Sequence, residues 1–179
     1  MLALLAAISL TLHPADSLSL LRGARAAQEA FERFRIDHLP RSFGGTDHRC
    51  DEVVGRFCFW HDDDDDSWRP PPEHPEIGGA RRELIATLDS VAGLLPGDGW
   101  VAGQRVRYLV EAGDPAGALR AAAECRAERW WCLALTGYAH HAAQAFAAAD
   151  TAFDTALDHM PRDERCKWTD LSLLVERLP

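Results

Sequence analysis

The sequence predicts an all-α fold, on three observations. Alanine is abundant and β-branched residues are sparse from residue 116 onward, a balance that favours helix because alanine loses no side-chain entropy on folding. Apolar residues recur at three- and four-residue steps over most of the chain. Short breaks carrying Gly, Pro or polar residues separate those stretches at the spacing of antiparallel helical hairpins. With 179 residues, the chain can close one core or a short stack of units sharing one, but not two large independent domains.

Taken in order, residues 1–17 read as a signal peptide. Leu2 to Leu12 is almost purely apolar and too short to span a bilayer as a helix, which is the length of a signal h-region. Pro14 is expected to break the helix, and Ala15-Asp16-Ser17 offers small residues for a cut before Leu18, although no Lys or Arg precedes the apolar run. Residues 18–61 follow as an N-terminal helix and a cysteine-bearing segment. Over 18–37, Leu20, Leu21, Ala24, Ala27, Phe31 and Phe34 form an apolar stripe, with Arg22, Arg25, Glu29, Glu32 and Arg33 on the opposite face. Leu39-Pro40 stops that helix.

Cys50 to His61 has the aromatic and branched residues of a short strand or a stapled turn. His48, Cys50, Cys58 and His61 are a ligand set zinc accepts, but the H-x-C…C-x2-H order does not match the usual knuckles, and a Cys50–Cys58 disulfide is the expectation. Cys125 and Cys132 are the second locally spaced pair and Cys166 is left over, able to compete for either partner. Paired cysteines agree with an exported, oxidising location, periplasmic or secreted.

Residues 62–75 form an acidic, proline-rich loop, because five consecutive aspartates repel one another and Pro70-Pro71-Pro72 cannot extend a helix. The aspartates lack the alternate spacing, glycine and glutamate of a calcium-binding EF-hand loop. The net charge of -9 and pI near 5.3 speak against a nucleic-acid partner, and most of that acidity sits in this loop, which leaves the helical body close to neutral.

Residues 76–179 read as a helical repeat domain. Ile77, Leu84, Leu88, Val91 and Leu95 mark a helix ended by Pro96-Gly97-Asp98-Gly99, and four more follow, broken at Gly113-Asp114-Pro115, near Glu128, near Gln144 and at Pro161. Gly99–Ala127 overlays Trp130–Met160 at an offset of 31 residues, placing Gly113 on Gln144, Ala118 on Ala149 and Cys125 on Ala156. In the second unit Gly137, Phe146, Ala149, Phe153, Ala156, Leu157 and Pro161 follow in an order and spacing that resembles a tetratricopeptide repeat. The match is looser in the first unit, where Val106 occupies the small-residue position, and the second has Gln144-Ala145 in place of Gly-Asp at its turn and His140 in place of an aromatic residue. Asp170–Leu178 is expected to start another repeat or cap the stack, unless the chain is the front part of a longer envelope protein.

The resemblance implies a short α-solenoid whose first helices line a concave groove for a peptide or protein partner. Carried over by position, it implies Trp100, Arg107 and Glu111 in the first unit and Trp131, Tyr138 and His141 in the second as binding residues. Trp100 and Trp131 also suit core positions. His140-His141 cannot clamp a metal, since adjacent residues point about 100 degrees apart on a helix. No nucleophile elbow, Walker loop, HExxH helix or dinucleotide fingerprint occurs, and a Cys58–His61 nucleophile would need a thiolate that an oxidising compartment opposes. The reading is a non-catalytic binding scaffold without a cofactor, metal, small-molecule substrate or membrane span; the alternative is a disulfide- or zinc-stapled structural domain.

Overall fold

A computed structural model describes residues 14–38, 52–54, 57–59 and 73–165. Among the described residues, six helices carry the fold: α1 (Pro14–Asp37), α2 (Pro75–Leu94), α3 (Gly99–Glu111), α4 (Pro115–Glu124), α5 (Arg129–Ala142) and α6 (Phe146–His159). Two three-residue strands, β1 (Glu52–Val54) and β2 (Phe57–Phe59), pair antiparallel with Val53 opposite Cys58. The Cys50–Cys58 pairing, the zinc reading of that segment, the acidic loop up to residue 72, Cys166 and the terminal apolar stripe lie outside the described residues. No described helix is long and apolar enough to cross a membrane.

One helix boundary differs from expectation. Residues 14–17, where Pro14 was expected to break the helix and a cut was expected before Leu18, are helical and continuous with 18–37. The other boundaries follow local chemistry. Asp98 accepts from the Val101 N–H at 2.9 Å and Asp114 from the Gly117 N–H at 2.7 Å, each capping a helix start. Gly113 (φ 74°) and Gln144 (φ 59°) both turn the chain through the left-handed region after α3 and α5. Their turns are closed alike: Ala112 N–H bonds Tyr108 O, Gly113 bonds Val110 O and Asp114 bonds Leu109 O, while Ala143, Gln144 and Ala145 bond Ala139, His141 and His140 in the same pattern.

Each helix packs on its neighbours in sequence, and α3 also meets α5. One core lies between α1, α2 and α3, built on Phe31, Leu84, Leu88, Val101 and Tyr108; a second, of Val106, Ala118, Ala122, Leu135 and Ala139, joins α3, α4 and α5. Small residues set the closest approaches. A Cβ on Gly137 would stand 2.8 Å from the Phe153 ring, so glycine is what lets α6 lie against α5. The second core is alanine-rich and holds the bridge Cys125–Cys132, which ties the end of α4 to the start of α5.

Two residues expected on the solvent face of α1 engage α3, Glu32 half-buried and Arg25 still exposed. Glu32 reaches Arg107 and Tyr108 of α3, and the Arg25 guanidinium lies 4.9 Å from the Trp100 ring centroid. Both contacts follow from α1 lying against α3 as well as α2, which extends its contacting face beyond the apolar stripe.

Candidate functional site

The odd-numbered helices bring the chemistry-bearing residues together. Across α1 and α3, two carboxylates and two guanidiniums alternate in a closed ring: Arg35 Nη2 to Glu32 Oε2 at 2.6 Å, Glu32 Oε1 to Arg107 Nη2 at 3.1 Å, Arg107 Nε to Glu111 Oε1 at 2.8 Å, and Glu111 Oε2 to Arg35 Nη1 at 3.0 Å. The four charges cancel. Because they are only partly exposed and share partners, the ring is worth more than four isolated surface pairs, each bridge fixing side chains that the next reuses. Buried Arg81 of α2 reinforces it, donating to the Glu111 carbonyl at 3.2 Å and pairing with Glu73.

Tyr108 is fully buried beneath this ring. Its hydroxyl donates to Glu32 Oε1 at 2.7 Å and accepts from Gln28 Nε2 at 3.1 Å. Burial, then the bond to Glu32, push its ionisation up to about 12 from an ordinary 10.0. Since the folded state holds the phenol proton more tightly than the unfolded chain, this contribution to stability is complete below pH 10 and is lost as pH rises towards 12. A Tyr108→Phe variant is therefore expected to show a shallower stability loss over that alkaline window in urea titrations followed by circular dichroism; identical slopes would refute it. Burial alone would lower the Arg107 pKa, but the hydrogen bond and charge of Glu111, with Glu32, outweigh it and the pKa is raised.

Next to the ring, a cavity of about 350 Å³ opens between α3 and α5. Arg107 and Gln104 form one wall, Trp131 and Tyr138 the other, with Leu135 and Phe153 at the base. Trp131 is held by two features: its indole N–H donates to the Gly99 carbonyl at 2.7 Å, and its ring lies so close to Gly103 that a Cβ there would fall 2.9 Å from it. Tyr138 is 38% exposed, and burial first, then the charge of Glu111, raise its pKa against the opposing effect of Arg107. Gln104 Oε1 is buried with no hydrogen-bond partner.

Of the six residues expected to line a groove, Arg107, Trp131 and Tyr138 share this cavity, and Glu111 joins Arg107 in the charge ring. Trp100 lies apart, packed on the first core with Arg25 above it. His141 is exposed beyond the cavity, its ring edge-on to Phe146 at 5.5 Å. Gln104, and the α1 residues Gln28, Glu32 and Arg35, belong to the site without any sequence signal having singled them out as binding residues. The chain matches no protein-family model, no curated protein and no solved structure.

Chemically, the site offers aromatic and apolar side chains beside a charge-neutral polar ring. Such a lining favours apolar over charged groups.

Proposed function

We propose that the chain is an exported, tetratricopeptide-like scaffold that binds a peptide or protein segment without catalysing a reaction. The observation that carries this reading is the cavity between α3 and α5, where Arg107, Trp131 and Tyr138 meet beside an unpartnered Gln104 carbonyl. Trp, Tyr and Arg dominate binding energy when a partner desolvates them, and Trp131, Tyr138 and Arg107 are all lining residues here. The turn hydrogen bonds that recur 31 residues apart, and the Gly137–Phe153 approach, support the solenoid reading. The Cys125–Cys132 bridge is compatible with export.

A second reading, a stapled structural domain of a larger envelope protein, is favoured by the charge ring, since Arg107 and Glu111 already satisfy each other. A random peptide library displayed on phage separates the two. The scaffold reading expects enriched peptides carrying a bulky apolar residue, with binding weakened about tenfold or more by Tyr138→Ala, a substitution at a part-exposed position that leaves the cores intact. Absence of enrichment, or binding indifferent to both Tyr138→Ala and Gln104→Ala, would favour the structural domain.

A further inference from the structure

His38 follows the last residue of α1 and His74 caps the start of α2, so two imidazoles far apart in sequence meet where the two helices come together. Their rings stand 5.0 Å apart between centroids, and Phe34 lies against the other side of His38 at 4.0 Å. Glu76, in the first turn of α2, completes a group of three in which each residue places one ligand atom within 4.8 Å of the other two.

The hydrogen bonding of His38 decides its chemistry. Its Nδ1 stands 2.7 Å from the Phe34 carbonyl oxygen, which can only accept, so Nδ1 carries the proton. In neutral His38, Nε2 then presents a lone pair, and it faces a Glu76 carboxylate oxygen at 3.5 Å. A proton on Nε2 or a metal ion shared by the two groups would turn this approach of two acceptors into an attraction. The Nδ1–H bond to a backbone carbonyl is also the outer-shell contact that fixes tautomer and ring orientation in metal-ligating histidines.

We propose that His38, His74 and Glu76 bind a divalent transition-metal ion of the zinc type, stapling the end of α1 to the start of α2. Two imidazoles and one carboxylate leave a fourth tetrahedral position for water. His74 gives up its acceptance from the Glu76 N–H on binding, a bond that at 3.4 Å is already long. The ion sits by the C-terminal end of α1, where unpaired carbonyls favour positive charge. The ion would close the segment 39–72 into a loop, and clips that close long loops restrict the unfolded chain most. Nothing in this inference depends on the groove.

The test uses the full chain with its disulfides oxidised, freed of metal by chelator and titrated with cobalt(II) and then zinc. One equivalent of cobalt with a visible ligand-field band, displaced by zinc, is expected; His74→Ala and Glu76→Gln should each weaken it at least about tenfold while circular dichroism stays unchanged. Zinc should also raise the thermal midpoint of the wild type and not of these variants. No saturable uptake would leave only a proton between His38 and Glu76 and overturn the proposal. Uptake indifferent to both variants, or a sulfur-to-cobalt charge-transfer band, would overturn it equally by placing the metal on other residues.

Discussion

Phe31→Ala is expected to cost about 3 to 5 kcal/mol of folding stability. The ring is 4% exposed, meets Tyr108 edge-on at 5.3 Å, and has the Arg35 and Arg81 guanidiniums at 5.7 and 6.0 Å from its centroid. Truncation therefore opens a void and also takes away the apolar seat on which two cations are held against Glu111. Because α1 reaches the rest of the protein through side chains of this kind, its release would expose Tyr108 and break the charge ring. Urea unfolding should show a lower midpoint, and Tyr108→Phe should then add less than it does in the wild type, since the two residues share contacts. A loss below about 1 kcal/mol would mean that α1 is not docked as described.

Trp131→Ala is expected to cost about 3 kcal/mol and to abolish peptide binding. Trp131 fills the space left by Gly99 and Gly103 and satisfies the Gly99 carbonyl, so truncation unpairs an acceptor as well as removing contact area. Trp131→Phe separates these roles: it keeps a ring over Gly103 but loses the N–H, and a stability loss of about 1 kcal/mol is expected from that bond alone. Equal losses for both variants in thermal and urea unfolding would show that the hydrogen bond, not the packing, holds α5 against α3. Full-strength binding by Trp131→Ala would remove this residue from the groove.

The helical skeleton was legible because its punctuation is local. Pro96-Gly97, Gly113-Asp114-Pro115 and the capping aspartates Asp98 and Asp114 act within a turn of where they sit, so α3 to α6 fall within a few residues of their expected bounds. Arg107, Trp131 and Tyr138 came from carrying the tetratricopeptide resemblance over by position, and these three line one cavity.

What stayed hidden depends on contacts between distant residues. Glu32 looks like one member of a solvent-facing charged stripe until α3 is placed beside α1, more than seventy residues away. A gap half that long hides the meeting of His38 and His74 across residues 39–72. Gly103 reads as a weak point in a helix, and only the neighbouring indole explains why a side chain is excluded there. Trp100 was misleading in the opposite sense: an indole at the mouth of a helix pair serves as well for packing as for recognition, and here Arg25 covers it.

α5 and α6 share the most extensive helix–helix contact, so as a pair at one end of the described fold they can open together, as terminal helix pairs do. The covalent tie between Cys125 and Cys132 spans the joint between one such pair and the next. It keeps α5 and α6 from drifting far from α4 even when their packing is momentarily lost, so that tension along the chain is carried across this joint by a covalent bond as well as by packing.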